Sequence, residues 1–139
     1  MRHHVQVSVI MTKNIISLTR SDYLEHAESL FKKHKIRHIP VVEDKAIIGM
    51  LSYTDLMRIS VAETTDGDDN CIESVVYNMF TIEQVMAKHV VTVNSHASIK
   101  HVAGLLAEGE FHALPVVEDN ILVGIVTTTD LLNYFIKQI

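Results

Sequence analysis

Two stretches of this chain place a hydroxyl and a carboxylate at the same short spacing. Ser52-x-x-Asp55 begins three residues after Gly49, and Thr127-x-x-Asp130 begins three residues after Gly124. A Ser or Thr followed three residues later by an acidic residue is a helix-start pattern, in which the hydroxyl accepts from an orphan backbone N–H. The same spot suits an anion, because the first N–H groups of a helix are unpaired and the dipole is positive there. A carboxylate one turn in accepts hydrogen bonds from a vicinal diol. One local geometry would then hold a phosphate and a ribose together. Capping and ligand binding both satisfy this spacing. Recurrence does not separate them, since caps recur as well.

No catalytic constellation accompanies the pair. The chain has no P-loop, no G-x-G-x-x-G, no nucleophile elbow and no carboxylate pair at a working distance. The expectation is a protein that is not an enzyme. Its nine histidines are scattered, so no metal site is expected, and His26 and His101 read as helix-surface or interface residues. The acidic run from Glu63 to Asn70 lacks the glycine and terminal glutamate spacing of a calcium loop and reads as a solvated linker.

Composition narrows the partners. The chain has 139 residues, of which 47% are hydrophobic, enough for one domain with a sizeable core. Its net charge of −5, from 12 basic and 17 acidic residues, argues against non-specific nucleic-acid binding, which needs a basic face. It leaves room for a small anionic ligand, for which a few local donors suffice. No apolar run approaches the ~20 residues of a membrane span. Residues 1–11 lack the apolar core of a signal peptide. Cys71 stands alone, so no intrachain disulfide forms and a cytoplasmic location is expected.

The elements that must position Asp55 and Asp130 occur twice. Pro40-Val41-Val42-Glu43-Asp44 returns as Pro115-Val116-Val117-Glu118-Asp119, an offset of 75 residues. At the same offset Met11 and Lys13 answer to Met86 and Lys88, and His26 and Leu30 to His101 and Leu105. Two copies are too few for a solenoid. They predict one compact domain of two quasi-equivalent halves.

Each half predicts β-α-β-β-α. Ile15–Leu18 is a brief β-branched strand. A helix capped by Ser21 or Asp22 runs to about Lys35, with Leu24, Ala27, Leu30 and Phe31 inward. Strands over 38–42 and 46–51 flank a tight hairpin connection. Gly49 inside the second strand predicts a bulge or a close backbone approach. A helix follows from Tyr53 to about Val61. Residues 63–80 form the linker, with a short helix over Cys71–Phe80, and a capping box at Thr81-Ile82-Glu83-Gln84 opens the next lead-in. The second half gives a strand at Val90–Val93, a helix over 97–108 stopped by Gly109, strands over 113–117 and 121–126, and a helix from Thr128 to Lys137. One core face accounts for Leu131, Leu132 and Phe135 of this last helix. Its further apolar residues, Tyr134 and Ile136, predict a second buried face and a homodimer.

The glycine, two apolar residues, Ser/Thr-x-x-Asp-Leu, and the apolar-Pro-Val-Val strand before them resemble the CBS domain, the repeat named after cystathionine β-synthase. Two copies in register resemble the CBS pair, or Bateman module, over about residues 8–137. Repeats at 8–62 and 81–137 follow, separated by the linker at 63–80. The resemblance implies an α+β fold of two β-α-β-β-α repeats about a pseudo-twofold axis, with their sheets face to face. It implies up to two clefts between the repeats that take adenosine-containing ligands such as AMP, ADP, ATP or S-adenosylmethionine.

Carried over by position, the preferred cleft has Asp130 on the ribose, Thr127 and Thr129 near the phosphate, and Ile125, Ile16 and Ile36 around the base. Thr12 closes it, and Arg37 and His38 match the family's basic phosphate contacts. A guanidinium suits phosphate bidentately. The second cleft has Asp55, Ser52, Thr54 and Met50, with Val91, Phe111 and His112. It ranks lower because Ala113 stands where His38 stands, and because Tyr53 would narrow it. The resemblance implies no required cofactor. It implies a regulatory module that senses an adenine nucleotide and acts on an unidentified protein partner. The alternatives are a ligand-independent dimerisation or interaction module, and a binder of another adenosyl compound.

Overall fold

Both halves are built on a two-residue hairpin whose turn residues all have positive φ. In the computed structural model, which describes residues 5–63, 77, 79–109 and 111–139, β1 (His38–Glu43) turns into β2 (Ala46–Ser52) through Asp44 (φ 50°) and Lys45 (φ 70°). The second hairpin joins two later strands through Asp119 (φ 52°) and Asn120 (φ 66°). Positive φ at both turn residues matches the right-handed twist of the flanking strands. Asp and Asn tolerate the left-handed region better than most side chains.

The chain divides into two compact units. One comprises Ile16–His89, and the other comprises Met1–Ile15 with Val90–Ile139. The repeats in sequence and the units in space therefore do not coincide: each unit holds the body of one repeat and the lead-in of the other.

In the Ile16–His89 unit, α1 (Leu24–His34) precedes the β1–β2 hairpin, and α2 (Tyr53–Glu63) follows it. The short helix α3 (Ile82–Val85) closes the unit. The predicted strand at Ile15–Leu18 is reduced to a single parallel bridge, Leu18 to Val41. Helix α1 also starts later than predicted, at Tyr23 with no side-chain cap. The reason is local: the Asp22 carboxylate accepts from the Thr19 N–H at 2.7 Å, so it closes the preceding turn instead of capping the helix. Lys35 ends the helix in the left-handed conformation, φ 54°. Leu24, Ala27 and Phe31 are buried as expected, with Leu18, Ile39 and Leu51 beside them. Leu30 is only partly buried.

The other unit has a three-stranded sheet in the order β3 (Val93–Asn94), β4 (Ala113–Glu118), β5 (Ile121–Thr127). The β3 strand runs parallel to β4, while β4 and β5 are antiparallel. Helix α4 (Ile99–Glu108) starts on Ser98, whose hydroxyl accepts from the His101 N–H at 3.0 Å. It ends where the Gly109 N–H donates to Leu105. Val7, Val102, Leu114, Val116 and Val126 fill the core. Helix α5 (Thr128–Gln138) has no buried residue. Leu131 packs on the core, but Leu132 and Phe135, expected inward, are 56% and 48% exposed. The predicted linker at 63–80, and the predicted helix over Cys71–Phe80, fall mostly outside the described residues; within them, Tyr77 is buried and Met79 exposed. The capping box at Thr81 forms with both of its bonds.

Gly49 and Gly124 carry both features expected of a strand glycine. The ladder shifts register between Val41 and Val42, opposite Gly49, and between Val116 and Val117, opposite Gly124. A methionine sulfur also lies against each glycine, Met86 on Gly49 and Met11 on Gly124. A Cβ on Gly49 would overlap that sulfur and stand 2.9 Å from the Ala87 carbonyl oxygen. Gly49→Ala should therefore lower stability by about 1–3 kcal/mol through overpacking, read as a lower urea midpoint. An unchanged midpoint would show that the lead-in shifts freely.

Glu28 offers a second check. Burial pushes its carboxyl up, but the Lys32 ammonium donating at 2.6 Å and a bond with Tyr77 outweigh it, so the group lies below its ordinary value of 4.5. A depressed carboxylate adds stability above its unfolded pKa, and the addition is lost as pH falls through the folded value. The stability gap between wild type and Glu28→Gln should shrink on going from about pH 7 to about pH 3. A gap that stays constant in urea melts at both pH values would refute this linkage.

Candidate functional site

Both predicted hydroxyl–carboxylate pairs lie at helix starts, and they differ in what holds the carboxylate. In the unit containing Asp130, the Thr127 hydroxyl accepts from the Asp130 N–H at 3.1 Å, and the Asp130 carboxylate accepts from the Thr127 N–H at 2.9 Å. This reciprocal box occupies one carboxylate oxygen, Oδ2. In the unit containing Asp55, the Ser52 hydroxyl accepts from the Asp55 N–H at 3.0 Å. The Asp55 carboxylate pairs instead with Arg58, three residues on, at 3.5 Å. Both carboxylates are half-buried.

The lead-ins bring backbone to the same places. Thr12 and Ile125 exchange two hydrogen bonds, at 2.8 and 3.0 Å. Met50 and Ala87 do the same, at 2.8 and 3.0 Å. The residues just before β1 and β4 are also tied to the helix starts. The Arg37 carbonyl accepts from the Tyr53 N–H at 2.8 Å, and the His112 carbonyl from the Thr128 N–H at 3.0 Å.

The predicted site residues are distributed as follows. Thr12, Ile125, Thr127, Thr129 and Asp130 share a unit with Val91, Phe111 and His112. Ile16, Ile36, Arg37 and His38 share the other with Met50, Ser52, Thr54 and Asp55. Each unit thus holds members of both predicted sites. Arg37, Thr12 and Thr129 are exposed, His38 is half-buried, and Ile125 and Met50 are buried. Tyr53, expected to narrow the Asp55 site, turns its ring edge-on to Phe31, with centroids 5.5 Å apart. The core takes this ring because an edge-to-face aromatic pair gains more than its area alone.

A cavity of about 420 Å³ lies within the Ile16–His89 unit, lined by Asp55, Arg58, Phe80, Gln84, Met86 and Ala87 among others. Pockets of about 300–1,000 Å³ hold small ligands. Of the four residues of this unit predicted around Asp55, only Asp55 itself lines it. Arg58, Phe80 and Gln84 escaped the sequence reading because none recurs: Asn133, Val5 and Val9 stand at the matching positions. The one available signal was the arginine three residues after Asp55, on the same helix face. Among the described residues, no three His, Cys, Asp or Glu side chains converge as a metal site, and no helix is long and apolar enough to cross a membrane.

The profile of the CBS domain matches residues 7–62 and 82–137. The chain belongs to the CBS domain family. It carries the domain as a tandem pair, in the α+β fold of two β-α-β-β-α repeats. Among curated proteins, the CBS domain-containing protein YhcV of Bacillus subtilis is 31% identical over 121 residues, 87% of this chain and 79% of YhcV. Homoserine O-acetyltransferase of Methanococcus vannielii is 30% identical over 129 residues, which is 91% of this chain and 24% of that enzyme. This CBS pair thus also matches a small part of a longer protein. Among solved structures, the CBS domain pair of protein MJ0100, in complex with 5′-methylthioadenosine and S-adenosyl-L-methionine, superposes with a TM-score of 0.78 at 25% identity, covering 97% of this chain and 98% of that one.

Proposed function

We propose that this CBS pair is a regulatory module, not an enzyme, that binds an adenosine-containing small molecule and passes the binding on to a protein partner. One observation carries the reading: two half-buried carboxylates stand at helix starts that follow the strands paired with the lead-in backbone, in a chain similar to an adenosyl-bound CBS pair. A helix start favours an anion, and a carboxylate one turn in accepts from a ribose diol. Asp130 and Asp55 are assigned to the ribose, and Thr127, Thr129, Ser52 and Thr54 to the phosphate end. Arg37 and His38 supply further phosphate contacts. Within their own units, Thr12 and Ile125 border the base at Asp130, and Met50 the base at Asp55. AMP, ADP and ATP are the preferred ligands, and the signal is the cell's energy state. Such a ligand shifts the module only by its differential affinity for two states.

The test is a thermal-shift titration with AMP, ADP, ATP, S-adenosylmethionine and NAD, followed by calorimetry on any hit. A ligand at ~100 times its dissociation constant adds about 2.7 kcal/mol, a shift of several degrees. That shift should shrink in Asp130→Ala or Asp55→Ala. No shift from any of the five, with the protein shown to be folded, would leave the interaction module as the better reading.

The exposed apolar face of α5 favours a homodimer as part of this function. Leu132, Phe135, Ile136 and Ile139 are 56%, 48%, 66% and 88% exposed, an arrangement that marks an interaction surface. Phe135→Glu should convert a dimer to a monomer in sedimentation equilibrium without lowering helix content. A wild type that sediments as a monomer at all concentrations would remove the dimer.

A further inference from the structure

The cavity beside Asp55 is lined by residues that do not recur around Asp130, and the fold does not require the difference. Arg58, Gln84 and Phe80 line it, and the matching residues are Asn133, Val9 and Val5. The residues that the fold needs at this place do recur: Met86 and Met11 both sit on a strand glycine, and Leu56 and Leu131 both follow the aspartate. The packing of the unit therefore does not explain a guanidinium here. Nor does the ion pair. Arg58 and Asp55 are 3.5 Å apart, with 74% of the Arg58 side chain exposed. A pair of that exposure adds little stability.

What Arg58 does is bring a positive charge to the wall that also carries Asp55. A helical side chain leans toward the N-terminus, over the turn before its own Cα. This lean places the guanidinium beside the carboxylate and at the mouth of the cavity. Gln84 adds a carboxamide. Its oxygen accepts from the Thr81 N–H at 2.9 Å, which leaves its two N–H donors without a partner among the described residues. Phe80, Ile59, Val85 and Met86 form the apolar part of the lining. A carboxylate, a forked cation and an amide donor on an apolar floor fit a ligand with hydroxyls, an anionic substituent and a flat apolar body. A guanidinium presents two parallel N–H groups to a carboxylate or a phosphate equally well.

We propose that Arg58 is a specificity-determining residue. It makes the Asp55 cavity select adenosyl ligands that carry an anionic substituent, whereas the Asp130 helix start has no equivalent group. This inference rests on the adenosyl reading given above and adds the charge class of the ligand at one of the two aspartates. It also places the stronger anion site at Asp55, the reverse of the order given by residue matching alone.

Calorimetry on the full chain tests it with three probes: AMP, which carries a phosphate; S-adenosylhomocysteine, which carries a carboxylate; and 5′-methylthioadenosine, which carries no anion. Each is titrated into wild type, Arg58→Gln and Arg58→Lys. Arg58 is exposed, so the variants should melt at the wild-type temperature. A lost charge-assisted hydrogen bond weakens binding by about 10- to 100-fold. That loss is expected in Arg58→Gln for AMP, for S-adenosylhomocysteine or for both, and it identifies which anion is recognised. The affinity for 5′-methylthioadenosine should change by less than about twofold, and Arg58→Lys should restore part of the loss. Equal weakening of all three probes would mean that Arg58 only orients Asp55, and the inference fails. Unchanged AMP and S-adenosylhomocysteine affinities would also overturn it while leaving the adenosyl reading intact. If wild type binds none of the three, the adenosyl reading falls and takes this inference with it.

Discussion

In each unit a methionine sulfur lies against a strand glycine. Met86 on Gly49 and Met11 on Gly124 seat the lead-in segments so closely that a single added carbon would collide with them. The pairing of each lead-in beside the candidate sites goes with this approach. It lets Ala87 and Thr12 reach the β2 and β5 strands and exchange hydrogen bonds with Met50 and Ile125. It also leaves the next strand residues free to pass into the helix starts that carry the carboxylates. Methionine suits the task, because a flexible, polarizable side chain fills an irregular gap that a branched residue would not.

The carboxylates at those helix starts have two duties that compete for the same oxygens. Asp130 gives one oxygen to its own helix cap. Asp55 is turned aside to Arg58. A ligand diol arriving at either must work with what remains. This is why two sites that look alike in sequence present different chemistry. The inequality comes from residues outside the repeated pattern, not from the pattern itself.

Much of the fold was legible because its strongest signals are local. The hairpins are written in Glu43-Asp44-Lys45 and its repeat, the glycines predict their own bulges, and Thr81–Gln84 announces a capping box that forms. The errors were also local in cause. Asp22 bonds one turn too early to cap α1, and Leu18 makes one bridge where a strand was expected. The apolar residues of α5 fit two faces equally well, and periodicity does not say which of Leu131, Leu132 and Phe135 meets the core. The candidate site was legible only in its repeated half. Arg58, Phe80 and Gln84 come from segments that are distant in sequence, and nothing repeats to single them out. Likewise, no local pattern reveals that a lead-in packs on the body of the other repeat.

That exchange of lead-ins fixes an order for folding during synthesis. The Ile16–His89 unit is contiguous, so it can condense as soon as its last residues have left the ribosome. The other unit cannot. Thr12 is made well before its partner Ile125, with the whole of the contiguous unit between them. Until then the segment around Thr12, with Val7 destined for full burial, waits unpaired. Contacts between such remote residues are the slow ones to form. The nascent protein therefore passes through a stage in which one unit is native and the other holds an unpaired apolar segment, the species most open to mispairing with a second nascent chain.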